Sequence, residues 1–92
     1  MKAKVSAEAK KLTDIPNVGP ATAKDFNLLG IEKPNDLVGK DPINLFKKLC
    51  KVTGVEHDPC TADIFMSAVS FMDGEGPRDW WEFTEERKRI LK

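Results

Sequence analysis

The chain has 92 residues, enough for one domain with a single modest core. Its 15 lysines and arginines balance its 15 aspartates and glutamates, which excludes a polycation that holds nucleic acid by charge alone. No apolar run approaches membrane-spanning length and no apolar stretch follows the first lysines, so no membrane partner is expected and the cytoplasm is the expected location.

In chain order, Ser6 is placed to cap a first helix through Lys11 and Leu12. The next stretch is the most informative: Leu12-Thr13-Asp14-Ile15-Pro16-Asn17-Val18-Gly19-Pro20-Ala21-Thr22-Ala23-Lys24. Pro16 biases Ile15 away from the α region and ends any preceding helix. Gly19 accepts φ > 0, and Asn17 is one of the few other residues that tolerates it. Val18 anchors the turn in the apolar layer. Pro20 suits the first position of a helix, where its missing N–H is not needed. Ala21, Thr22 and Ala23 then present N–H groups without an intrahelical partner, and their small side chains let a ligand approach. Lys24 follows about one helical turn after Pro20 and reaches the same place. Free N–H groups, a positive helix end and a cation together suit an anion such as a phosphate.

These residues resemble the helix-hairpin-helix family, whose hairpin reads apolar-Pro-Gly-apolar-Gly-Pro before a small-residue helix start. The resemblance covers residues 12–31, with Leu28, Leu29 and Ile31 as its apolar close. Asn17 stands where the family has its first glycine. The resemblance implies a sequence-independent grip on nucleic-acid backbone through Asn17, Val18, Gly19, Ala21, Thr22 and Lys24, helped by Lys10 and Lys11. The bland alternative is a tight turn between packed helices.

Gly30 ends the second helix. Residues 33–37 read as a short helical turn. Asp41-Pro42 opens a helix to about Val52, closed by Gly54, and Asp58-Pro59 opens the longest one, to about Met72. Ile43, Phe46, Leu49 and Cys50 form one apolar stripe; Cys60, Ile64, Phe65, Ala68, Val69 and Met72 form another. Leu37, Val38 and Leu45 fill in. Residues 73–77 read as a loop, and Thr84 as the cap of a last helix through Ile90 and Leu91. No strand and no strong internal repeat is read; a second hairpin would need another Gly-x-Gly turn, of which Val52-Thr53-Gly54-Val55 is a degenerate form. The expectation is an all-α, compact single domain over residues 1–92, SAM/HhH-like, with about five to six short helices. It comprises a hairpin at 12–31, supporting helices at 34–72 and an aromatic, charged segment at 77–92.

Across the whole chain, Leu49-Cys50, Thr53-Gly54-Val55, His57-Asp58-Pro59-Cys60, Asp63-Ile64-Phe65 and Trp80-Trp81-Glu82-Phe83-Thr84 before Arg87-Lys88 resemble one small bacterial family labelled pathogenicity-locus and mitomycin-resistance proteins. The resemblance spans nearly residues 10–89. It implies a small standalone helix-hairpin-helix protein linked to DNA, with no implied activity.

Cys50, His57 and Cys60, with Asp58 or Asp63 as an oxygen donor, are the one set with metal-ligand chemistry. The favoured reading makes the cysteines core thiols, with no metal and no cofactor. Trp80, Trp81 and Phe83 read either as a stacking platform for bases or, preferred beside Asp79, Glu82, Glu85 and Glu86, as the lid of a small core.

Charge is uneven. Residues 1–24 carry five lysines against Glu8 and Asp14, a net of +3; residues 73–86 carry six acids against Arg78, a net of −5; residues 87–92 carry +4. A basic face forms if the two ends meet. No catalytic residue is expected; a DNA-processing activity is the alternative, disfavoured because the chain lacks a lobe to hold a flipped base. Two functions are carried forward: weak, non-specific binding of the DNA phosphate backbone, and a protein-interaction or oligomerisation module that keeps the hairpin as architecture.

Overall fold

Proline at the first helical position opens three of the helices: α1 (Pro20–Leu28), α2 (Pro42–Thr53) and α3 (Pro59–Ser70). The computed structural model, which describes residues 3–91, adds α4 (Thr84–Leu91) and contains no strand among those residues. The aspartate caps at α2 and α3 form as the local sequence dictates. Asp41 Oδ1 accepts from the Ile43 and Asn44 amides at 3.0 and 3.3 Å, and Asp58 Oδ1 from Cys60 N at 2.9 Å. Gly54, at φ 73°, closes α2 in the left-handed region.

Between the α-helices lie short helical turns. Four are 3-10 turns, at Ser6–Glu8, Leu12–Asp14, Pro34–Leu37 and Trp80–Phe83, and a π turn at Phe71–Glu75 prolongs α3. The first helix expected at Ser6 does not form. Its place is taken by two 3-10 turns, each closed by its own acid. Glu8 Oε1 accepts from Lys4 N at 2.9 Å, and Asp14 Oδ2 accepts from Lys10 N and Lys11 N at 2.9 and 3.2 Å. A carboxylate that reaches back three or four residues satisfies amides that a longer helix would otherwise have had to pair.

The core gathers around α3, which packs against α2, α4, the 80–83 turn and its own π extension. Ile15, Val18, Phe26, Leu37, Leu49 and Phe65 are fully buried. The Phe26 and Phe65 rings, 4.6 Å apart between centroids, join α1 to α3. The stripes predicted on α2 and α3 face this core, except that Cys50, Cys60 and Ile64 are half-buried. Val38, expected in the core, is exposed.

Thr84 is not a cap. It lies in helical conformation straight after the 80–83 turn, and its hydroxyl donates to Asp63 Oδ2 at 2.7 Å. Arg87 Nε donates to Asp63 Oδ1 at 2.8 Å. Asp63 is completely buried, so this charged pair fastens α4 to α3 out of water. Removing one partner from such a pair leaves an uncompensated buried charge.

Candidate nucleic-acid interface

The site begins with the acid-braced turn at Leu12–Asp14. Backbone bonds from both Lys10 and Lys11 hold the Asp14 carboxyl below the usual carboxylate range. Lys10 and Lys11 are themselves exposed. The chain then turns: Val18 N donates to Ile15 O at 3.1 Å, and Asn17 takes φ 71°. Gly19 is extended, at φ −97° and ψ −177°, and stands as the N-cap of α1 without a side chain to cap it. The Ala23 amide, expected to lack an intrahelical partner, instead makes the first helical bond, to Gly19 O at 3.0 Å, because it is the first amide one full turn past the cap. Among the described residues, the amides of Gly19, Ala21 and Thr22 have no hydrogen-bond partner. Lys24 is exposed and forms no ion pair among those residues.

Two of the expected ligands are arranged differently. The Val18 amide is committed to Ile15, and the Val18 side chain is buried. The Asn17 side chain faces the protein: Nδ2 donates to Arg78 O at 2.7 Å and to Ser67 Oγ at 3.3 Å. The acidic C-terminal segment is thereby held against the turn, where Pro16, Asn17, Pro77, Asp79 and Glu82 line a shallow groove.

The same construction recurs 22 positions later. Asp36 Oδ2 accepts from Glu32 N and Lys33 N at 3.0 and 3.1 Å, as Asp14 does from Lys10 and Lys11. Those bonds likewise depress the Asp36 carboxyl. Lys40 N donates to Leu37 O at 3.1 Å, matching Val18 and Ile15. Gly39, at φ 75°, takes the place of Asn17. Asp41-Pro42 takes the place of Gly19-Pro20 as N-cap and first helical residue. The repeat that no residue pattern announces is thus present in the backbone.

A family profile described as pathogenicity locus (Cdd1) matches residues 5–89. The chain belongs to the pathogenicity-locus family. It is 38% identical over 86 residues to a protein of Streptomyces lavendulae named mitomycin resistance protein McrB, covering 94% of this chain and 82% of that one. No solved structure matches it.

The pathogenicity-locus chain does not assemble Cys50, His57 and Cys60 into a metal centre; among the described residues no three metal-ligating side chains converge. Cys50 packs against the core, and burial together with Asp58 pushes the Cys60 thiol up. Asp63, considered as an oxygen ligand, is taken by Arg87 and Thr84. The aromatic cluster divides: Phe83 is buried beneath the Arg78 guanidinium, which sits 4.4 Å from its ring, Trp80 is half-buried, and Trp81 is 58% exposed. The described part of the chain contains no helix long and apolar enough to cross a membrane. Sequence reasoning missed the structural weight of Asp63 and Arg87. The signal was present: an acid within the apolar stripes of α3 implies a buried partner.

Proposed function

We propose that residues 12–31 form a helix-hairpin-helix unit that binds the DNA phosphate backbone weakly and without sequence preference. The grip consists of the Gly19, Ala21 and Thr22 amides together with the Lys24 ammonium. One observation carries this reading, the pair of matched turns. At α2 the two amides behind the N-cap, those of Ile43 and Asn44, bond to the Asp41 carboxylate. The matching amides at α1 are those of Ala21 and Thr22, which stand behind a glycine. A phosphate oxygen placed as the Asp41 carboxylate is placed accepts the same two bonds, in the field of the helix N-terminus. Val18 supports the turn rather than the ligand. Lys10 and Lys11 add positive charge, offset in part by the Asp14 carboxylate that accepts from both their amides. Such a role belongs in the cytoplasm and needs neither a catalytic residue nor a cofactor.

Anisotropy titrations of labelled duplex and single-stranded DNA at two salt concentrations test the reading. The expected result is binding at low salt with a log–log slope of about −0.9 per phosphate neutralised. Lys24→Glu is expected to weaken it roughly tenfold at low salt. If neither DNA binds at low salt, or Lys24→Glu binds like wild type, the phosphate grip is wrong.

A second reading, a protein-interaction or oligomerisation module, is favoured by Trp81. This large apolar side chain is 58% exposed within an acidic segment that folds back on the hairpin turn. Sedimentation of the protein alone, with Trp81→Ala beside it, tests self-association.

A further inference from the structure

The Arg87 side chain is only 11% exposed, and one edge of its guanidinium is fixed on Asp63 through Nε at 2.8 Å and Nη2 at 3.4 Å. A guanidinium is planar, so its Nη1/Nη2 end, about 120° round the plane from that edge, presents the remaining N–H groups in a fork. No partner for these groups exists among the described residues. Arg87 also lines an open groove of about 430 Å³, bounded by the middle of α2, the 54–58 loop and the start of α3. The volume lies within the roughly 300–1,000 Å³ typical of small-molecule sites.

The other walls are suited to a flat ligand. Phe46, Pro59 and Cys50 supply apolar surface. His57 is oriented by Thr53. The Thr53 hydroxyl lies 2.8 Å from Leu49 O and 2.9 Å from His57 Nε2, which ties the imidazole to the end of α2. Lys47 and Glu56 oppose each other in charge, and Arg87 is neutralised by Asp63. The groove therefore lacks the field that draws in a polyanion. What it offers is geometry, a pre-oriented fork that matches the two oxygens of a carboxylate or phosphate.

We propose that this groove binds a small organic oxyanion, its carboxylate or phosphate head on the free edge of Arg87 and its flat apolar body against Phe46 and Pro59. The site is separate from the hairpin and does not depend on DNA binding.

Chemical-shift titration of the 15N-labelled full chain tests it, with benzoate and phenyl phosphate as probes and benzamide as the neutral control. Saturable shifts are expected in residues 46–60 and on the His57 ring, with a dissociation constant of about 1 mM. Whichever oxyanion binds more tightly identifies the preferred head. Lys47→Glu, on an exposed side chain, is expected to weaken both oxyanions several-fold and leave the fold intact. Arg87→Lys keeps the charge without the fork and is expected to weaken them roughly tenfold. The proposal is overturned if neither oxyanion saturates, if benzamide binds as well as benzoate, or if the shifts centre on residues 17–24.

Discussion

Asn17 performs two tasks that glycine divides from one another. Its backbone takes φ 71°, and its side chain joins the turn to Ser67 and to the Arg78 carbonyl. Substitution separates the two. Asn17→Gly keeps the turn and loses the bonds, at an expected cost of about 1 kcal/mol. Asn17→Ala loses the bonds and adds left-handed strain, for about a further 0.5–1 kcal/mol after allowing for the unfolded-state entropy of glycine. Urea midpoints should therefore fall in the order wild type, Gly, Ala; equal midpoints for Gly and Ala would remove the strain argument. The left-handed tolerance of Asn17 was legible in the sequence because it is a property of one residue. Its partners were not, since they lie 50 and 61 positions away and nothing local marks them.

Among the elements, the fold obeys the local signals in which a cap and a proline coincide, and not those at Ser6 and Thr84, where a hydroxyl stands alone. Asp41-Pro42 and Asp58-Pro59 open helices because cap and proline act within one turn. The acid-braced 3-10 turns were harder to read, since an acid three residues after a candidate cap looks like the start of an ordinary helix. The 22-residue repeat was hidden because it equates Asn17 with Gly39 and Gly19 with Asp41, residues alike in backbone and not in side chain. That difference supplies a test. Gly19 is extended, and a Cβ there meets nothing within 4 Å. Gly19→Asp should therefore copy Asp41 and place a carboxylate on the Ala21 and Thr22 amides. Stability is expected to rise by about 0.5 kcal/mol, a melting shift of roughly 2–4 °C, while DNA binding is lost. A variant that melts higher and still binds DNA would show that these amides do not hold the phosphate. The braces also set an acid response. Asp14 and Asp36 are held below 3.8 by backbone bonds, so their contribution is complete above that pH and is lost as pH falls through the lower folded values. Asp14→Asn with Asp36→Asn keeps an acceptor at each turn and removes the titration. Melts at neutral pH and near pH 3 should show the double variant losing less stability on acidification than wild type.

Across the whole molecule the neutral balance is an arrangement of opposed segments. The basic N-terminal stretch enters the hairpin, and its first turn packs against the π turn at 71–75. Arg87, counted with the basic C-terminus, is turned inward on Asp63, so among the described residues any basic face there rests on Lys88 and Arg89. The acidic segment lies beside the hairpin turn, and its charges differ in availability. Glu82 accepts from Asp79 N at 2.9 Å and lies 3.5 Å from Arg78 Nε. The Asp79 carboxylate has no ion pair among the described residues, and it lines the groove with Pro16 and Asn17. If the hairpin holds a phosphate, Asp79 is the acid that opposes it. A unit charge about 10 Å away in water is worth about 0.4 kcal/mol, roughly twofold in affinity. At physiological ionic strength, where the screening length is about 8 Å, most of that disappears. Asp79→Asn is therefore expected to tighten duplex binding roughly twofold at low salt and to leave it unchanged at physiological salt. Equal affinities at low salt would mean that the bound strand leaves the turn on the side away from residues 77–82.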